Sequence, residues 1–171
     1  EARKGRVTAS MVGAILGVSP NLSRAGAMRR MVREREGAPA EFTGNIATDY
    51  GEANEEGAVA EYYLETGNRV DKVGFVTKED WAGCSPDGLI GSDGGLEAKC
   101  PFGKRKEGDL IPLAEQLHYY AQVQFSLWVT GRKFWHFYQW TAHQTKLECV
   151  LPDQAWLDDN LPKLRQFHAE F

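Results

Sequence analysis

The chain has 171 residues, 42% hydrophobic and 26% charged, a balance that fits one compact domain over residues 1–171 with a sizeable core. Against 24 Asp and Glu it sets 20 Lys and Arg, for a formal charge of −4. That argues against a protein that coats nucleic acid through bulk charge, and leaves room for an enzyme that grips phosphate with a few placed cations. No apolar run approaches the roughly 18 residues of a membrane span, and the chain opens on Glu1-Ala2-Arg3-Lys4, so no membrane association and a cytoplasmic location are expected. Cys84, Cys100 and Cys149 form neither a disulfide framework nor a CxxC pair, which also suits a reducing compartment.

Taken in order, Val7 to Leu16 reads as a short helix that Thr8 or Ser10 can cap and Gly17 can end. A second helix is predicted over Ala25 to Arg35, before Gly37-Ala38-Pro39. A third runs from about Tyr50 to Thr66, with Ala53, Val59, Ala60, Tyr63 and Leu64 placed to pack and Glu52, Glu55, Glu56 and Glu61 offering carboxylates. From Val70 the period changes to that of strands. Val73, Phe75 and Val76 suggest one strand, Trp81 and Ala82 lead towards another, and Leu89-Ile90 and Leu96 to Lys99 flank the turn Gly91-Ser92-Asp93-Gly94-Gly95, giving a curved antiparallel unit. Leu110 to Val129 contains a long helix beginning after Pro112, with Leu113, Leu117, Ala121, Gln124 and Trp128 near one stripe. The aromatic run Phe134 to Trp140 reads as a buried strand with Lys146 to Val150 as its antiparallel neighbour. Gln154 to Phe171 reads as a helix interrupted or begun at Pro162.

The chemistry concentrates in Cys84-Ser85-Pro86-Asp87-Gly88-Leu89-Ile90 and Leu96-Glu97-Ala98-Lys99. Strand alternation puts Glu97 and Lys99 on one face and Ala98 on the other. A hairpin bend can bring Asp87 beside Glu97, with the Ala98 carbonyl as a further ligand, in an oxygen-rich site suited to Mg2+ or Mn2+. Lys99 would then stand next to the reacting group, to orient water or offset phosphoryl charge. An E-x-K triplet alone is more often an exposed ion pair, so Asp87 at hairpin distance is what gives it weight. The run Lys104-Arg105-Lys106 either reaches a DNA backbone or is simply solvated. Alternation sends most of Phe134, Trp135, Phe137, Tyr138 and Trp140 into packing rather than base stacking. The four histidines have no zinc spacing.

Five words extend this pattern: Gly5-Arg6-Val7-Thr8-Ala9-Ser10, Gly51-x-x-x-Glu55, Cys84 to Leu89, Leu96 to Phe102, and Tyr119-x-Ala121-Gln122-Val123-Gln124-x-Ser126-x-Trp128-Val129. In these words and their order the chain resembles the lambda-exonuclease-type, or YqaJ-like, viral recombination nucleases of the PD-(D/E)xK superfamily. The resemblance implies an α/β, restriction-endonuclease-like core with a curved mixed central sheet flanked by helices. It also implies a metal-dependent nuclease that degrades linear duplex DNA from a 5' end to mononucleotides and leaves a 3' overhang for a single-strand annealing protein. The family further implies a homotrimeric ring and a phage or prophage origin within a bacterial host.

Carried over residue by residue, the resemblance makes Asp87 and Glu97 metal ligands, Lys99 the catalytic lysine, and Glu55 the holder of a second ion. Helical spacing by itself does not separate Glu55 from Glu52; the family word does. Gln122 matches an active-site glutamine, with Gln124 as its neighbour. Arg3, Ser10 and Ser85 resemble positions that bind a terminal 5' phosphate, although Thr8 and Ser10 also suit mere helix capping. Arg24, Arg29 and Arg30 are candidate cations without a clear family match. Two rival functions remain at this level: a structure-selective endonuclease with the same metal core, and an inactive DNA end-binding scaffold.

Overall fold

The computed structural model describes residues 1–39 and 44–171. Its centre is a five-stranded mixed sheet in the order β2(Val70–Asp71), β5(Gly88–Ile90), β6(Gly94–Lys99), β7(Phe134–Trp140), β8(Thr145–Val150). β6 and β7 run parallel and the other neighbours antiparallel. A smaller sheet orders β1(Val7–Thr8), β4(Ala82–Cys84) and β3(Val76–Lys78), with β1 parallel to β4. Neither sheet closes on itself, and helices flank the larger one on both faces. This is the mixed α/β core expected of the resemblance.

Strand alternation decides what each face holds. Trp135 and Phe137 on β7 pack with Val123 and Leu127 of α4(Leu117–Thr130). Tyr138 and Leu96 turn the other way, onto Tyr62 of α3(Ile46–Thr66). The aromatic run is therefore core, with Trp135, Phe137 and Tyr138 fully buried. The second half of α4 is buried nearly all round, because Ala121, Phe125 and Val129 pack instead with α1(Ala9–Ile15) and the smaller sheet. α1 crosses α4 almost backbone to backbone, since a Cβ on Gly13 would lie 2.8 Å from the His118 Cβ.

Two glycines in β6 clear aromatic rings. A Cβ on Gly95 would stand 2.2 Å from the fully buried Trp135 ring, and one on Gly94 2.3 Å from Phe134, which is partly exposed. Trp135 has nowhere to move in a close-packed interior. Gly95→Ala is therefore expected to cost about 3 kcal/mol, a fall of roughly 10 °C in Tm. Gly94→Ala should cost less, and equal losses in thermal melts would contradict this account.

Several sequence expectations change in three dimensions. Val7 and Thr8 do not begin the first helix: they pair with Ala82 and Gly83, and neither Thr8 nor Ser10 caps α1 by its side chain. An edge of β4 available for pairing outweighs the helical pattern. The curved antiparallel unit divides, with β3 and β4 in the small sheet and β5 and β6 in the large one, so that Ser85-Pro86-Asp87 is the crossing between them. Gly94 and Gly95 belong to β6 rather than to the turn. α2(Arg24–Glu36) starts at a Ser23 cap and ends at Gly37 in the left-handed conformation.

α3 begins four residues before Tyr50, at an Asn45 cap that accepts from Ala47 and Thr48. It buries Ala58 and Tyr62, while Ala53, Ala60, Tyr63 and Leu64, expected to pack, face outward, Leu64 at 80% exposure. Leu117 is likewise 56% exposed, because a one-turn 3-10 segment at Leu113–Glu115 separates Leu113 from α4 and breaks the stripe. α5(Gln154–Glu170) runs unbroken through Pro162. Pro162 and Asp158 are both exposed, so water can reach the carbonyl that the missing N–H leaves unpaired. Among the described residues no helix is long and apolar enough to cross a membrane.

Candidate active site

Asp87, Glu97 and Lys99 meet where the two sheets part. The Asp87 N–H donates to the Leu96 carbonyl at 3.2 Å, just beyond the end of the β5–β6 pairing, where Gly88 is the partner of Leu96. The Asp87 carboxylate accepts from the Ala98 N–H at 2.8 Å. The N–H and C=O of one residue in a strand point to the same edge, so the Ala98 carbonyl lies on the edge that Asp87 occupies. Glu97 is 4% exposed and points to the opposite face of β6 from Ala98. Its Oε1 accepts from Gln122 Nε2 at 3.0 Å and from Lys99 Nζ at 2.9 Å. The Lys99 ammonium also lies 4.7 Å from the centroid of the Tyr119 ring.

Electrostatics mark the same place. Burial, the neighbouring Glu97 and a hydrogen bond with Glu55 push the Asp87 carboxyl up to about 9. Burial opposes charge on Lys99, but Glu97 more than compensates and holds its pKa above the usual lysine range. Asp87 is hydrogen-bonded to Glu55 and lies beside Glu97, which itself pairs with the Lys99 ammonium, and a cation would relieve the repulsion among these carboxyl groups. Among the described residues no group of three His, Cys, Asp or Glu side chains is placed to hold a metal ion. The donor set fits a hard divalent ion of the magnesium type, which takes one or two carboxylates and retains water: Asp87, Glu97 and the Ala98 carbonyl would hold it, with Glu55 beside them.

Tertiary packing gives different surroundings to the members of two pairs that spacing leaves open, although Glu52 as well as Glu55 lines the cleft at the site. On α3, Glu55 precedes the buried Ala58 and Tyr62 by three and seven residues and so shares their inward side, whereas Glu52 is exposed. On α4, Gln122 reaches Glu97, while Gln124 bonds the Leu151 carbonyl and the Asp153 N–H and staples the start of α5.

A cleft of about 1410 Å³ opens over Glu55, Asp87, Glu97, Ala98 and Lys99. The same cleft is lined by Arg3, Lys4, Arg29, Arg30 and Arg33, with Glu34 paired to Arg30 at 3.4 Å. Arg33 was not singled out in the sequence; its spacing from Arg29 and Arg30, four and three residues along α2, is the signal that places all three together. Arg24 turns away, onto Glu170 at 2.6 Å and over Phe167. Ser10 and Ser85 are exposed and are not among the cleft-lining residues. Arg105 folds back over Phe102, 3.5 Å from its ring centroid, and Lys104 lies against Gly108; neither lines the cleft.

The YqaJ-like viral recombinase domain matches residues 1–133. The chain belongs to this family. With that, the resemblance to lambda-exonuclease-type nucleases drawn from the five sequence words is borne out. The family fold extends beyond the matched segment: an alkaline exonuclease from Laribacter hongkongensis, LHK-Exo, is 30% identical with a TM-score of 0.81, over 99% of this chain and 89% of that one. LHK-Exo in complex with dAMP superposes equally, at 30% identity and a TM-score of 0.81, over the same 99% and 89%. A phage-related exonuclease from Haemophilus somnus 129PT shares the fold at 15% identity, with a TM-score of 0.72 over 96% and 94% of the two chains. No curated protein sequence matches the chain.

Proposed function

We propose that the protein is a Mg2+-dependent exonuclease, with Mn2+ able to substitute, that hydrolyses linear double-stranded DNA in the 5'-to-3' direction. It releases 5'-mononucleotides and leaves a 3' single-stranded overhang. The observation that carries this reading is one cleft lined both by Glu55, Asp87, Glu97 and Lys99 and by the basic side chains of Arg3, Lys4, Arg29, Arg30 and Arg33. A polyanion can lay its backbone on the cations while one phosphodiester reaches the acids.

Bound divalent ions supply Lewis-acid and water-activating chemistry at the scissile phosphate. Asp87, Glu97 and the Ala98 carbonyl would hold one, and Glu55 would serve a second. Gln122 fixes Glu97 through Oε1, leaving Oε2 for coordination. Lys99 offsets the negative charge that grows on the phosphoryl oxygens. Arg3, Lys4, Arg29, Arg30 and Arg33 receive the backbone and a terminal 5' phosphate, a role for which bidentate guanidinium geometry is suited. Ser10 and Ser85 remain proposed contacts for that phosphate, and Lys104 and Arg105 for more distant backbone. In line with its family, the protein is proposed to work as a homotrimeric ring and to deliver its overhang to a single-strand annealing protein in the bacterial cytoplasm.

The test is digestion of a linear duplex, end-labelled on each strand in separate reactions, with a 5' phosphate or a 5' hydroxyl, with Mg2+ or chelator, beside a closed circle. Mg2+-dependent mononucleotides from the 5'-phosphorylated strand, with the circle intact, are expected. Nicking of the circle would replace the reading with an endonuclease, and binding without cleavage would replace it with an end-binding scaffold.

A further inference from the structure

Two matched pairs join β6 to α4. In the strand, Glu97 and Lys99 are two residues apart on one face, roughly 7 Å along it. In the helix, Tyr119 and Gln122 are three apart on one face, about 5–6 Å between Cβ atoms. Gln122 meets Glu97 and Tyr119 meets Lys99, so the two elements form a two-rung ladder. Glu97 Oε1 also takes the Lys99 ammonium at 2.9 Å, which ties the rungs together. Tyr119 is itself fixed, packed against the Phe137 ring at 5.8 Å and against His118 at 4.0 Å between centroids, and it lines the cleft.

We propose that Tyr119 is a positioning residue for Lys99, its ring face holding the ammonium towards the cleft while Glu97 engages a divalent ion. The inference rests on the nuclease reading above and deepens it. Glu97 and Tyr119 both contact the Lys99 ammonium, with Asp87 acting on it from farther off. Glu97 is an anion that an incoming divalent ion also attracts, and as the ion takes the carboxylate its hold on Lys99 weakens. The aromatic quadrupole attracts a cation without offering a carboxylate to the metal. A carboxylate at position 119 would compete for the divalent ion or neutralise the ammonium; an aliphatic side chain would leave Lys99 dependent on carboxylates that the ion also attracts. The ring's attraction would not depend on a carboxylate that a bound ion could take.

The test replaces Tyr119 with Phe, with a series of phenylalanines carrying one, two and three ring fluorines, and with Leu. Fluorination drains the ring quadrupole while keeping its shape. With linear duplex DNA and Mg2+, kcat is expected to fall stepwise with fluorine count. Tyr119→Leu should lose roughly 5- to 30-fold in kcat with KM changed less than about two-fold, and Tyr119→Phe should recover most of that loss. Independently of activity, the Lys99 ε-methylene should show an upfield ring-current shift by NMR in metal-free protein, kept in Tyr119→Phe and lost in Tyr119→Leu. An active wild type with a flat fluorine series, a loss confined to KM, or no ring-current shift overturns the role of Tyr119. A wild type that shows the shift but cleaves no DNA overturns the nuclease reading, and the catalytic role of Tyr119 with it.

Discussion

Lys99→Ala should reduce Mg2+-dependent cleavage of linear duplex DNA by about 10³-fold in kcat, the cost typical of losing one preorganised charge-stabilising group. Lys99 is the only lysine ion-paired with Glu97 among the described interactions, and its side chain is one-quarter exposed and lines the cleft. An ammonium in so sheltered a place acts through a lower effective dielectric than water and loses little to reorganisation. The variant should still bind DNA, because the phosphate backbone is proposed to rest on Arg3, Lys4, Arg29, Arg30 and Arg33, which also line the cleft. Divalent-ion affinity should rise rather than fall, since a competing cation has been removed from Glu97. The decisive comparison is single-turnover cleavage beside equilibrium DNA binding. Cleavage within about ten-fold of wild type would remove Lys99 from the chemistry, and loss of binding to match the loss of cleavage would make it a substrate-binding residue instead.

Raising pH from 5 to 9 should destabilise the metal-free protein, and Mg2+ should reverse that loss most strongly at the alkaline end. The folded-state pKa of Asp87 is raised to about 9 by burial and by Glu97 and Glu55, whereas an unfolded aspartate titrates near 3.9. Between those values the folded chain keeps a proton that the unfolded chain has released. Stability therefore declines as pH climbs through that window, and the full penalty applies only above the folded pKa. A divalent ion at Asp87 favours the ionised carboxylate and cancels the penalty.

On the order of 10 °C is the expected fall in Tm across that range in chelator, with Mg2+ raising Tm far more at pH 9 than at pH 5. Asp87→Asn cannot ionise and should show a much flatter profile, at the cost of nuclease activity. Equal Mg2+ shifts at the two pH values, or the same slope in Asp87→Asn, would show that another group governs the transition.

Local sequence carries the elements that local physics dictates. The Gly91 to Gly95 cluster announces the β5–β6 turn, and alternation within Leu96 to Lys99 separates Glu97 and Lys99 from Ala98, as found. β7 and β8 are legible for the same reason. Glycine at Gly37 and Gly67 ends α2 and α3 in the left-handed conformation, and polar caps start them, although the Asn45 cap moves the start of α3 four residues upstream of the reading. The central Asp87, Glu97 and Lys99 grouping could be read because its members lie within 13 positions of one another along a hairpin.

Tertiary structure decided what periodicity leaves degenerate. α3 has apolar residues on more than one side, and the sheet selects Ala58 and Tyr62, turning Glu55 inward and leaving Leu64 in solvent. Gln122 and Gln124 lie on different sides of α4, and only the placement of β6 on one side and the approach to α5 on the other assigns each its partner. Val7 and Thr8 became strand because β4, about 75 positions later, offered an edge. The arginines of α2 gained meaning by lining one cleft with Glu55 of α3, Glu97 of β6 and Asp87 of the crossing before β5. A side chain's own turn or strand sets the direction it can point. Which surface covers that direction depends on segments far along the chain, whose packing energy outweighs the small differences in local propensity.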